Sequence, residues 1–433
     1  MKKTHLLSAS ALLALALQGT QTNAAALADI YQQALANDPQ LKSAEATYLA
    51  GAEAAPQARA NLLPTIRLAA KTTSTETDTT EFHNNGYTVS LSQPLFDANA
   101  WFNFKQGEAQ SEQARLTFEQ AQQNLILRVV EAYLNVLRAQ NNLETTQAQE
   151  RAIKRRLDQV NAQFEVGLIA ITDVQEAQAS YDNARVARIE AEGDLENSYE
   201  ALERLTGQEV GKADLLKEDY PVQTPTPETP DQWLDKAWRG NIGLRVADAA
   251  VEAARRSAQA ARSNHLPTLS LDASYDYDNG TATADNINDT NTIGLTFSLP
   301  LYSGGATVSA SRQTEQQMIA AQQDREDTLR AVTQSTRSLL RDLRTDVLSV
   351  QARKQSIKSS ETALKATEEG FNVGTRNVVD VLNAEQQLYS AQRDYANARF
   401  DYVFNLFSFK QQVGSLSPED LNALDQWLES PQQ

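Results

Sequence analysis

The chain has 433 residues, with 56 acidic against 39 basic side chains and a formal charge of −17. Such a surface repels a phosphate backbone, which is held by clustered Lys and Arg, so nucleic acid is excluded as a partner. The lack of cysteine removes disulfides, thiolate metal sites, Cys nucleophiles and a lipid-carrying N-terminal Cys, and the scattered His5, His83 and His265 leave no basis for a histidine metal site or a catalytic triad.

The N-terminus reads MKKTHLLSASALLALALQGTQTNAAAL. Lys2 and Lys3 precede an apolar run from Leu6 to Leu17 and small residues up to Ala25, the pattern of a secretory signal over 1–25, so the mature chain is expected outside the bacterial cytoplasm. The apolar run is too short to span a bilayer. No later segment supplies a long enough one, so any crossing of a membrane is by β-barrel.

The rest of the sequence repeats itself. NLLPTIRL at 61–68 answers NHLPTLSL at 264–271, TVSLSQPLF at 88–96 answers GLTFSLPLY at 294–302, and FEVGLIAITDVQEA at 164–177 answers FNVGTRNVVDVLNA at 371–384. One unit is therefore used twice, over 26–210 and 231–417. The Pro-rich segment 211–230 reads as a linker, and 418–433 as a tail that forms a short amphipathic helix.

Each unit opens with a shorter helix, about Pro39 to Asn61 and Ile242 to Asn264, followed by two strands. The four strands are expected over 65–73, 86–95, 267–278 and 292–301, with polar loops TSTETDTTEFHNN and NGTATADNINDTN between the members of each pair. In LSLDASYDYDN, Leu269, Leu271, Ala273, Tyr275 and Tyr277 share one parity and Asp272, Asp276 and Asp278 the other. A half-wet soluble sheet and an outer-membrane barrel strand both alternate in this way. Four strands cannot close a barrel, and open edges are not tolerated in hydrocarbon, so either the sheet is soluble or several chains pool their strands.

Beyond each strand pair lies a long stretch without proline, rich in Ala, Gln, Leu, Arg and Glu, that predicts a helix from about Trp101 to Val166 and its counterpart in the second unit. Val129, Val136, Leu143, Leu157 and Phe164 keep one seven-residue register interrupted by Glu150, and Leu343, Val350, Ile357, Leu364 and Phe371 keep the equivalent one. That period favours a left-handed coiled coil over the core stripe of a compact bundle. The helices end at Val166-Gly167 and Val373-Gly374, and Thr172 or Asp173, and Asp380, stand where an N-cap would start return helices about half as long, ending at Gly207 and Gly414.

With FEVGLIAITDVQ, FNVGTRNVVDVLNAEQQLY, HLPTLSL and FSLPLYSGG in order, the mature chain resembles the TolC type of outer-membrane efflux proteins over essentially its whole length. The resemblance implies a mixed α and β membrane protein: a homotrimer whose twelve strands, four from each chain, form one barrel in outer-membrane lipid, continued by a long α-helical coiled-coil tunnel across the periplasm. It implies a passive exit duct for efflux or type I secretion, without catalysis or cofactor, whose partners are a periplasmic adaptor and an inner-membrane transporter of the RND, ABC or MFS class. By position, Val166, Gly167, Leu168, Val373, Gly374 and Thr375 would be the adaptor-docking tips. Arg376 would reach Thr172 and Asp173 of a neighbouring chain as a gate, with Asp380 pointing into the constriction.

Three positions depart from the family pattern. Phe371 replaces the usual tyrosine and cannot make its hydroxyl bond to Asp173; Arg156 replaces a glutamine and is expected to pair with Asp173; Asn383 replaces a second acidic ring, which lowers the expected cation selectivity. Two other classes of function compete. A trimeric coiled-coil adhesion protein of the cell surface shares the heptads and a barrel but needs no matched Val-Gly tips. An extracytoplasmic enzyme would have to rest on helical acids such as Glu190, Glu192 and Glu196, which read as solvated surface.

Overall fold

A computed structural model describes residues 26–76, 78–79, 81–226, 229–280 and 287–429. The secretory signal over 1–25 and the last residues of the tail lie outside the described residues. The first unit contains α1 (Leu27–Asn37), α2 (Pro39–Ala52), α3 (Ala54–Ala60), β1 (Thr65–Glu76), β2 (Glu81–Phe96), α4 (Ala98–Glu165) and α5 (Ile171–Thr206). After β3 (Leu215–Leu216) come α6 (Pro230–Gly240), α7 (Ile242–Ser263), β4 (Thr268–Gly280), β5 (Ile287–Ser298), α8 (Ala306–Asn372) and α9 (Val378–Gln412), and the tail adds α10 (Pro418–Asp425) and β6 (Leu428–Glu429).

The two long helices have 68 and 67 residues, on the order of 100 Å each at 1.5 Å per residue. α4 starts where the Asp97 carboxylate accepts from the Ala100 amide at 2.9 Å. The return helices α5 and α9 have 36 and 35 residues and therefore cover half of each partner. The remaining half of α4 is covered by α2 and α3, and α7 packs between α4 and α8. The half-length helices meet end to end: Asn37 donates to the Thr206 carbonyl at 2.8 Å, and Asn241 to the Gln412 carbonyl at 3.0 Å. The first of the shorter helices is broken at Glu53 rather than continuous to Asn61.

The four-stranded antiparallel sheet has the order β1-β2-β4-β5. Its register places Ile66, Leu91, Ala273 and Ile293 on one rung and Leu68, Val89 and Tyr275 on the next, all on one face. Strand boundaries differ from expectation in both hairpins. β1 and β2 run on through most of the segment read as a polar loop, because β-branched Thr72, Thr73 and Thr75 of β1 favour the extended ladder opposite β2, with the Thr72 hydroxyl donating to Asn85 at 2.7 Å. β5 begins at Ile287 and stops at Ser298 rather than continuing to Leu301; Pro300 has no N–H to extend a ladder.

The largest core lies midway along the helices, where Tyr133, Val129 and Leu125 of α4 meet Leu202, Phe400 and Phe409. The linker and tail wrap this level. Leu215–Leu216 pairs with Leu428–Glu429, the Tyr402 hydroxyl donates to the Gln223 carbonyl at 2.7 Å, and Tyr220 packs edge-on to Tyr402 and Trp427. The Asp425 carboxylate accepts from the amides of Leu27 and Ala28 at 2.8 and 2.9 Å, so the end of α10 is fastened to the start of α1.

At the junction of α9 with α6, Gly414 has φ 73° and a Cβ there would lie 2.0 Å from the Gly240 carbonyl oxygen. Gly414→Ala is expected to cost about 3 kcal/mol, combining left-handed strain with forced separation of two backbones. Gly374→Ala, whose Cβ would meet nothing within 4 Å, is expected to cost only the strain, about 1 kcal/mol. Thermal melts followed by circular dichroism should rank the two in that order.

Candidate functional site

The two ends of the molecule carry its distinctive chemistry. At the sheet end the apolar face is bare: Ile66, Leu68, Ile293, Leu295 and Phe297 are 65–80% exposed. Tyr87 stacks on Tyr277 at 5.1 Å and tilts against Tyr275 at 6.0 Å, giving an aromatic group near the loops. At the opposite margin of the apolar band stand Phe96, Phe297 and Tyr302. From the rung of Leu269 to that of Tyr277 the band is about 26 Å along the strand at 3.3 Å per residue. The other face is polar and closely hydrogen-bonded. Asp272 accepts from Ser92, Ser270 and Thr296 at 2.7, 2.8 and 2.9 Å, and Asp276 from Thr88 and Ser274 at 2.6 and 2.9 Å.

At the other end, both hairpins close with one motif. The Gly167 amide donates to Phe164 and the Leu168 amide to Gln163, and in the second hairpin Gly374 donates to Phe371 and Thr375 to Gly370. These are paired Schellman bonds, and they require the left-handed backbone found at Gly167 (φ 77°) and Gly374 (φ 76°). The turns leave Val166, Leu168 and Val373 70–73% exposed at the extremity.

The return helices start differently from expectation. The N-cap of α5 is Ala170, which offers no side-chain acceptor, and Thr172 and Asp173 lie inside the first turn. The N-cap of α9 is Asn377. Asp380, three residues on, completes a capping box in which each side chain accepts from the other residue's amide. Among the described residues Thr172 and Asp173 have no side-chain partner within the chain. Arg376 is exposed, lies 3.8 Å from Asp380, and rests its stem over Gly370, where an added Cβ would be 2.8 Å from Arg376 Cγ. Asn383 is exposed on a polar cleft of about 310 Å³ between α4, α5 and α9, beside Asn183 and Gln386.

Arg156 does not pair with Asp173. Its guanidinium Nη2 donates to Glu368 at 2.6 Å and Glu385 at 3.2 Å, and Nη1 to Gln159 at 2.9 Å. The crossing of α4 over the second hairpin brings these carboxylates to it, and the Phe371 ring lies 5.9 Å from its guanidinium carbon. The Arg156 and Glu385 side chains are only 10% and 6% exposed. Burial pushes the Glu385 carboxyl above the usual carboxylate range against the opposing pull of Arg156. Phe371 packs against the distal core of Ile153, Leu157, Val160, Val378 and Leu382, in line with its heptad place.

Glu368 and Glu385 are the residues that sequence reasoning missed. A signal was present for one of them: Glu385 stands seven residues after the buried Val378, so a charge occupies an apolar seam position.

A family model described as outer membrane efflux protein matches residues 30–208 and 233–414. The outer membrane protein TolC of Vibrio cholerae serotype O1 is 39% identical over 404 residues, covering 91% of this chain and 92% of that protein. The alkaline protease secretion protein AprF of Pseudomonas aeruginosa is 32% identical over 411 residues, covering 91% and 85%. The crystal structure of the outer membrane protein VceC of Vibrio cholerae shares the fold, with a TM-score of 0.78 at 20% identity over 90% of this chain and 96% of that one. With its bare apolar strand face and its paired helical tips in place, the chain belongs to the outer membrane efflux protein family.

Proposed function

We propose that the chain is one third of an outer-membrane exit duct, through which substrates delivered by an inner-membrane transporter leave the cell. The observation that carries this reading is the sheet: four strands with a bare apolar face, a hydroxyl-held aspartate row opposite, and two edges, β1 and β5, without a partner among the described residues. In hydrocarbon those edges must be paired. The junction between the two units supplies the pattern, since β2 of the first pairs with β4 of the second. Repeating that step would join β5 of one chain to β1 of the next. Such a head-to-tail contact generates a ring, and three copies give the twelve strands that a barrel with a water-filled interior can use.

The helices support the same closure. α7 packs on both α4 and α8, whereas its first-unit counterpart, α2 with α3, packs on α4; its outer side is free to meet α8 of a neighbour. The lumen would carry the row of Asp272, Asp276 and Asp278, and thus favour cations. Energy for transport would come from the transporter, and the duct itself has no catalytic role. TolC and AprF are named for the outer membrane and for protease secretion, which supports efflux or type I secretion as the setting.

At the tips, Val166, Leu168 and Val373 with Gly167, Gly374 and Thr375 offer a small apolar docking surface for a periplasmic adaptor. Arg376 is the gate residue, reaching the unpartnered Thr172 and Asp173 of the adjoining chain when the entrance is closed. Its contact with Asp380 is exposed and is worth about 0–1 kcal/mol, so the side chain is free to exchange partners. Asp380 lines the entrance, and Asn383 leaves it with fewer carboxylates than a second acid would.

Single-channel recording of the purified protein in planar bilayers tests the duct. A small cation-preferring conductance is expected, growing several-fold in Arg376→Ser. Gly370→Ala, which displaces the Arg376 stem, should produce a smaller increase in the same direction. A folded oligomer without conductance in any form would return the protein to the class of surface structural proteins.

A further inference from the structure

We infer that Glu385 is a positioning residue of the entrance: a buried carboxylate that acts on Arg156 and sets how firmly the second hairpin, α8 with α9, holds to α4. The inference rests on the reading of the helical tips as an entrance that opens and closes.

The two hairpins of a chain meet mainly through α4 and α9. Nearer the middle they are tied by Arg138 to Asp401 at 2.5 Å and by the Tyr389 hydroxyl, which donates to the Ala148 carbonyl at 3.4 Å. From there to the tips, among the described residues, the ion pairs between the hairpins are those of Arg156 with Glu368 and Glu385. The arginine is oversubscribed. One nitrogen, Nη2, serves both carboxylates, while Arg156 Nε and Glu385 Oε2 are buried without a hydrogen-bond partner among the described residues.

The groups that face Glu385 are few. α4 presents Arg155 and Arg156, α8 presents Glu368, and α9 itself presents Tyr389. α5 contributes Ala177 and Ala184 to the packing there. Burial is the first cause of the raised affinity of Glu385 for its proton, and Glu368 adds to it; the arginines oppose it.

When the hairpins separate, Glu385 returns to water and its carboxyl to the ordinary range. The packed form therefore holds the proton more tightly than the separated form. By linkage, protonation favours packing, and the ratio of closed to open rises as pH falls, by up to about tenfold per chain for each pH unit by which the two affinities differ. Ionised at high pH, Glu385 works against closure; protonated, it lets the apolar seam close around it. Acidification thus tightens the entrance instead of releasing it.

Conductance of the full chain is recorded in planar bilayers from pH 8 down to the ordinary carboxylate range, about pH 4.5, for the wild type, Glu385→Gln, Arg156→Gln and Arg376→Ser. The wild type is expected to lose conductance several-fold across that range. Glu385→Gln, which carries no titratable group, should stay near the wild-type low-pH level throughout, and Arg156→Gln should move the transition to higher pH. Because the chain has no cysteine, spin labels on cysteines introduced at Leu168 and Thr375 report the separation of the tips, which should narrow with acidification in the wild type and stay constant with Glu385→Gln. A Glu385→Gln profile that titrates like the wild type, a higher conductance than wild type at pH 8, or a tip separation independent of pH in the wild type would overturn the inference. If Arg376→Ser still widens the channel in that case, the duct stands and only the role of Glu385 falls. Absence of conductance in all forms removes both.

Discussion

A sheet edge in hydrocarbon has no water to satisfy its N–H and C=O groups, and the rest of this structure follows from that requirement. Among the described residues, one chain brings four strands with two open edges and a face of Ile66, Leu68, Ile293 and Leu295 that nothing else covers. Closure has to come from other copies, joined as the two units are joined within the chain. That condition makes the repeat more than an economy of sequence. If the β1 of a neighbour must accept β5 as β4 accepts β2, the two units must present equivalent strands at equivalent heights. The near-identity of the helices, 68 against 67 residues and 36 against 35, extends the same condition down the tunnel wall.

Stability is unevenly distributed along that wall. Midway, aromatic and branched side chains of α1, α4, α5 and α9 fill one large core, and the linker and tail bind around it through Tyr402, Tyr220 and Asp425. Toward the tips the packing narrows to a small cluster in which the fully buried residues of α5 are alanines, Ala177 and Ala184, with Val174 and Tyr181 only partly buried beside them. Less apolar area is buried there, so the tips can rearrange at a fraction of the cost of disturbing the middle. A column fastened at its waist and loosely seamed at one end is suited to opening at that end.

The elements with strong periods were legible in the sequence. Both long helices, the Val-Gly turns, the four strands and the seam place of Phe371 came from heptads, alternation and glycine position. Features that depend on chain crossing were not. The Pro-rich composition around Glu218 to Pro230 reads as a free linker, yet the Tyr402 hydroxyl holds the Gln223 backbone and Trp427 packs on the Tyr220 ring, partners that composition does not place beside it. Ala170 as the N-cap of α5 went against propensity, because the Schellman turn before it already determined where the helix starts. The partners of Arg156 were hidden for a related reason: a glutamate on a helix surface looks solvated until another helix crosses over it.

Two glutamates occupy apolar seam positions, and their different fates show how the repeat is broken where function needs it. Glu150 of α4 meets Arg188 of α5 at 2.7 Å, inside one hairpin, and that arginine also holds Glu192. Such a pair ties helices that move together. Glu385 meets Arg156 across two hairpins. The shift of 207 residues that superposes Phe164 on Phe371 places Gln178 where the second unit has Glu385 and Ala363 where the first has Arg156. The charged cluster therefore exists once in each chain, between its own hairpins, and has no equivalent where the second unit of one chain would meet the first unit of the next. Six equivalent hairpins around an axis would give a uniform tube. With Arg376 reaching the next chain as proposed, contacts would alternate, buried and charged within a chain and exposed between chains, and one hairpin of each pair could lean inward while the other stays with the wall. On that reading, the asymmetry of a few side chains on a symmetrical frame is what would give the tunnel an entrance able to close.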